Sequence, residues 1–129
     1  MGELFTVYGA TNGTSTTGTF SVTGDIIAGS VSYITIPYGM KAKIWGKRIA
    51  GAPVTVTVNY TKNVSASSPS WVAVDTEVLP SQGELDLEMD ARPVILRSDL
   101  GTEAFQFTWS QSTAGTSYVA FEIEFTEDG

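Results

Sequence analysis

The chain contains no cysteine and no histidine. The first absence excludes disulfides, thiolate nucleophiles and cysteine-ligated metals. The second removes the commonest general base, the Ser-His and Cys-His dyads and nearly all transition-metal sites. Charge is scarce as well: 16% of residues are charged, and 14 acids against seven bases leave a formal net charge of −7. That balance repels a phosphate backbone, so neither nucleic acid nor an anionic membrane is expected as a partner. No stretch approaches the roughly 20 apolar residues of a membrane helix, so no membrane insertion is expected. The opening "MGELFTVYGA" has an acid at position 3 and no basic run, which is not the pattern of a signal peptide.

What is present suits a packed interior. The 129 residues are 42% hydrophobic and include six Phe, five Tyr and three Trp, enough for one domain with its own core over residues 1–129. Period-two alternation dominates. In "SYVAFEIEFTE", Val119, Phe121, Ile123 and Phe125 face one way, and Glu122, Glu124 and Thr126 the other. "PVTVTVNYT" sets Val54, Val56, Val58 and Tyr60 against Thr55, Thr57 and Asn59, and "EAFQFTW" sets Phe105, Phe107 and Trp109 against Gln106 and Thr108. "KAKIWGKRI" places Lys41, Lys43, Trp45 and Lys47 on one side and Ala42, Ile44 and Gly46 on the other. Weaker runs are "ELFTVY", "GTFSV", "VSYITI", "WVAVDTEV" and "RPVILR", separated by turn-forming clusters such as "GATNGTSTTG", "NVSASSPS" and "SDLG". No segment carries a helical period. The expectation is all-β: an antiparallel β-sandwich of about nine or ten short strands, jelly-roll in preference to immunoglobulin-like. The first 25 residues hold the weakest hydrophobic signal and dense Gly and Thr, which reads as a surface loop or as a loosely packed N-terminal arm that orders against a neighbouring subunit.

Function must be sought in the placement of charge and aromatics. "GELDLEMDAR" puts Glu84, Asp86, Glu88 and Asp90 at alternate positions. On a strand such side chains stand about 6.8 Å apart, whereas calcium wants roughly six to eight oxygens converging at about 2.3–2.6 Å. We therefore expect no metal there, and a solvated or partner-facing strand instead. "KAKIWGKR" holds four of the seven bases, Lys41, Lys43, Lys47 and Arg48. The acidic and basic strips either neighbour each other within the subunit, where cross-strand pairs add a few tenths of a kcal/mol, or lie at opposite edges and meet between subunits, head to tail. Trp45 and Trp71 either cover the core, anchor an interface or stack on a sugar ring.

No catalytic centre is expected. Glu122 and Glu124, or Asp75 and Glu77, alternate along single strands, whereas glycoside hydrolysis needs two carboxyls facing each other across a cleft. Neither a "GxSxG" elbow nor an "SxxK" motif occurs. The interface candidates are Lys41, Lys43, Trp45, Lys47, Trp71, Glu84, Asp86, Glu88 and Asp90, with no cofactor. In architecture, a compact, Thr-rich, His-free sandwich resembles small capsid, decoration or turret-type proteins of phages and archaeal viruses. It is also similar to carbohydrate-binding modules and surface-filament subunits. The resemblance implies a non-enzymatic virion protein that acts by assembly, with copies of itself or other capsid or surface proteins as partners. The alternative is a glycan-binding module or a cell-surface adhesion subunit, extracellular or on the cell surface. Three Asn, three Gln and no Cys follow a thermophile tendency.

Overall fold

The computed structural model describes residues 3–24, 27–78 and 94–127. The described residues form eleven strands and no helix. They are β1 (Glu3–Ala10), β2 (Thr17–Thr19), β3 (Val22–Gly24), β4 (Ile27–Val31), β5 (Ile34–Thr35), β6 (Met40–Ala50), β7 (Thr55–Thr61), β8 (Val72–Val78), β9 (Val94–Arg97), β10 (Ala104–Ser110) and β11 (Tyr118–Glu127). Two antiparallel sheets result. The first runs β4-β3-β1-β11-β6-β9; the second runs β2-β10-β7-β8, with β5 also paired to β10. The protein is thus all-β, with the two layers of a β-sandwich.

The alternation read from the sequence is the alternation of burial. On β11, Val119, Phe121, Ile123 and Phe125 are buried; on β7, Val56 and Val58; on β10, Phe105, Phe107 and Trp109. These residues share one core, in which Phe107 of the second sheet stacks on Phe121 of the first with ring centroids 3.7 Å apart. Phe20 meets Phe121 edge-on at 5.9 Å and leans against Trp109 at 6.2 Å. Each such side chain removed from water contributes about 1.5–3 kcal/mol.

Within residues 3–24, three strands are joined by turns. β1 lies between β3 and β11, and Phe5, Val7, Phe20 and Val22 are all in the core. Of the Gly and Thr that dilute this segment, Gly9 and Gly18 lie against Phe20 and Trp109 and Thr11 is buried, while Thr14 and Thr16 lie in the turn between β1 and β2.

Two polar knots close the ends of the sandwich. At one end Thr11 and Ser117 exchange hydrogen bonds (Thr11 N to Ser117 O, 3.0 Å; Ser117 N to Thr11 Oγ1, 2.8 Å), and the Ser117 hydroxyl donates to Ala52 O at 2.6 Å. Gly51 completes this knot with φ of 97°, and an added Cβ would fall on the Thr116 carbonyl and Ser117 Cα. Gly39 has φ of 77° but nothing within 4 Å of its would-be Cβ. Gly51→Ala is therefore expected to cost at least about 2 kcal/mol more than Gly39→Ala, which meets backbone strain alone. Parallel thermal melts check this; equal losses would contradict the contact.

The other knot is built on Glu103, which is 0% exposed. Its carboxylate accepts from Ser98 Oγ (2.9 Å), Asp99 N (2.8 Å), Leu100 N (3.0 Å) and Thr102 N (3.1 Å). The turn so formed ties down two other loops, through Gly39 N to Ser98 O at 3.1 Å and Val64 N to Thr102 O at 2.9 Å.

Candidate functional site

Lys41, Lys43, Trp45 and Lys47 stand together on the outer side of β6, each half-buried, while Ala42, Ile44 and Gly46 face the core. Strand pairing puts Trp45 beside Glu122, Lys43 beside Glu124 and Lys41 beside Thr126. The Lys43 Nζ lies 3.9 Å from Glu124 Oε1, a partly exposed ion pair that contributes little to stability. β9 brings Arg97 alongside Lys41 and the exposed Ile95 alongside Lys43. Leu4 and Tyr8, also exposed, pair with Glu124 and Ala120 from the far side of β11. The basic strip is thus partly answered by carboxylates of β11 within the same sheet. Arg48, by contrast, is buried beside Val119, its Nε and Nη1 without a hydrogen-bond partner among the described residues. Glu84, Asp86, Glu88 and Asp90 lie outside the described residues.

Trp71 is not part of this face. It precedes β8 in the second sheet, on the opposite side of the sandwich, so the two tryptophans cannot serve one site. Its ring lies 6.4 Å from that of Tyr33, tilted by 45°. Strands β10 and β7 separate β5, which follows Tyr33, from β8, which follows Trp71. Ile34 turns inward and is buried, so Tyr33 is outward, and the two rings meet across the outer surface of this sheet. Ala104 and Thr61, paired at the end of the ladder next to inward-facing Phe105 and Tyr60, occupy outward positions and yet are buried.

Among the described residues, the outward positions of β2, β10 and β7 on the rest of that surface carry no charged side chain. One row across the strands reads Thr19, Thr108, Thr57, Thr76, and the next Thr17, Ser110, Thr55, Val78. Thr57 and Thr76 hydroxyls bond at 2.9 Å, and Asn59 Nδ2 donates to Thr108 Oγ1 at 3.0 Å. Asp75 and Glu77 pair with Val58 and Val56 and so point to the inner side of β8, at its margin.

A cleft of about 540 Å³ opens between β8 and the 62–70 loop, lined by Tyr60, Lys62, Asn63, Ser68, Ser70 and Val72 among others. Trp71 does not line it, since it points away from Val72. The Tyr60 hydroxyl donates to Arg97 O at 2.8 Å, and its pKa is raised by burial and by the nearby Glu103 and Asp99 charges. Burial pushes the Glu103 carboxyl up, but its hydrogen bonds outweigh that and hold it below the ordinary carboxylate value.

No group of three or more acidic side chains converges for a metal among the described residues. Glu122 and Glu124 lie on the outer side of β11 with Trp45 and Lys43 as their neighbours. Two features escaped the sequence: the Tyr33 partner of Trp71, and the run Val72, Val74, Val78 on β8, which is 63%, 44% and 63% exposed. The alternation of "WVAVDTEV" carries the second signal, but not which side is covered. Neither the protein-family profiles, the curated proteins nor the solved structures compared with this chain match it.

Proposed function

We propose that this protein is a non-enzymatic structural subunit that works by assembling with copies of itself or with other surface proteins. We read it as a virion component of the capsid, decoration or turret type, with jelly-roll connectivity. The observation that carries this reading is β8. It is the terminal strand of its sheet among the described residues, and Val72, Val74 and Val78 along it remain exposed. A solvated edge with no partner is ordinarily charged, bulged or shortened. Here the carboxylates Asp75 and Glu77 turn to the inner side, and the register shift beside Asn59 bends the strand, but its valines face water. Apolar edges of this kind are buried in subunit contacts. The charged face of β6 then sets orientation more than affinity, because rim charges chiefly steer.

Sedimentation of the protein at micromolar concentration tests this. A multimer is expected, more dissociated at high salt, and Val74→Lys with Val78→Lys should give a folded monomer with an unchanged circular dichroism spectrum. A wild-type monomer at every concentration and salt would overturn the reading.

A further inference from the structure

Beyond assembly, we propose that the Tyr33–Trp71 ring pair and the adjoining neutral surface of β10 and β7 form a binding platform for an uncharged oligosaccharide. Among the described residues this is the ring pair that stands outside the core; the other pairs are built from core side chains. Tyr33 is 41% exposed and Trp71 is half-buried, so part of the paired aromatic surface faces solvent. The flat face of a pyranose carries axial C–H groups that pack on such rings, while its equatorial hydroxyls reach sideways for hydrogen bonds. Those partners are beside the rings. The ladder places Gln106 opposite Asn59, and the Gln106 side chain has no hydrogen-bond partner among the described residues. Asn59 spends its amide on the Thr108 hydroxyl at 3.0 Å, leaving its carbonyl to accept and that hydroxyl to donate.

Charge selects the ligand class. The outward positions of β2, β7 and β10 carry Thr, Ser, Asn, Gln and Ala and no ionisable side chain, in a chain whose net charge is −7. A phosphate, sulfate or uronate finds no counterion there, and a basic ligand finds no carboxylate. A neutral polyhydroxyl chain loses nothing by that. Apolar rings beside a few placed polar groups are the ordinary composition of a small-ligand site. The platform belongs to the opposite side of the sandwich from β6, and Val78 shares its outer surface; glycan binding is therefore tested on Tyr33, Trp71, Gln106 and Asn59, and assembly on Val74 and Val78, which keeps the two readings distinguishable.

Affinity electrophoresis through gels containing xyloglucan, galactomannan or mixed-linkage β-glucan, followed by calorimetry with cellohexaose and mannohexaose, tests it. Retardation by at least one polymer is expected, insensitive to added sodium chloride. Trp71→Ala and Tyr33→Ala should each weaken binding by about tenfold or more, as for an aromatic anchor, and Trp45→Ala should leave it unchanged. Because the first two also break the Tyr33–Trp71 ring contact, Gln106→Glu and Asn59→Asp keep the rings in place and add a charge to the surface; both should weaken binding at an unaltered melting temperature. Absence of binding to all five probes, binding abolished by salt, or binding that survives both ring substitutions would overturn the proposal.

Discussion

Replacing Glu103 with alanine is expected to destabilise the protein by about 3–5 kcal/mol at neutral pH, an unusually large effect for a charged residue. The reason is geometric. Three backbone N–H groups, of Asp99, Leu100 and Thr102, and the Ser98 hydroxyl converge on one fully buried carboxylate. Each buried donor left unpaired costs about 1–3 kcal/mol, and bonds to a charged acceptor are the stronger kind. Glu103→Gln keeps one acceptor oxygen but turns an NH₂ toward backbone donors, so it should lose more than half as much. Urea titration is the direct measurement, and a loss under about 1 kcal/mol would rule out this account. The pH dependence follows from the lowered pKa. The carboxylate is favoured by folding, so its contribution is complete above the ordinary value of 4.5 and disappears as pH falls through the lower folded value. The gap in stability between wild type and Glu103→Ala should therefore narrow as pH falls through that value. Convergence at high pH instead would invert the assignment.

Phe121→Ala is the second large effect, expected at about 3–5 kcal/mol, with Phe121→Leu near 1–1.5 kcal/mol. Phe121 joins the two sheets: Phe107 stacks on it from β10 at 3.7 Å and 4°, and Phe20 meets it edge-on. That stack is closer and more eclipsed than ring quadrupoles favour, so area and dispersion, rather than aromatic electrostatics, supply its stability. Leucine retains most of that area; alanine leaves a cavity between layers. The total stability of a domain this size is about 5–15 kcal/mol, so the alanine variant should sit close to its unfolding midpoint at ordinary temperatures. A loss below about 1.5 kcal/mol would mean that the sheets close over the gap.

How much of this was legible beforehand depended on whether a side chain's fate is decided locally. β7, β10 and β11 were readable because each has one dry and one wet side, and so was the outward set Lys41, Lys43, Trp45 and Lys47. Trp109 could be placed in the core from its company with Phe105 and Phe107. β2, β3 and β5, two or three residues each, are shorter than the window over which alternation declares itself. Phe20 looks isolated among Gly and Thr, and only Trp109 and Phe121, distant in sequence, make it a core residue. Tyr33 and Trp71 meet across two intervening strands, which no local pattern encodes. Glu103 opens the run "EAFQFTW" as an ordinary acid; that it is buried follows from the turn of residues 98–102 folding back on it. The carboxylate row of Glu84, Asp86, Glu88 and Asp90 was the loudest signal in the sequence, and it falls outside the described residues.

The pairing of β1 with β11, in register from Glu3 opposite Phe125 to Ala10 opposite Tyr118, bears on how the molecule comes to be made. During synthesis β1 emerges long before β11, its principal neighbour, and until then it has only the short β3 to pair with and Phe5 lacks the Phe125 ring beside it. Nucleation at the ribosome is thereby denied to the centre of the larger sheet, and closure of a very long loop must precede the contacts that reward it. Slow, late condensation with an apolar ribbon left waiting is the kinetic signature this topology implies, and high expression should tax chaperones before it taxes solubility of the finished protein.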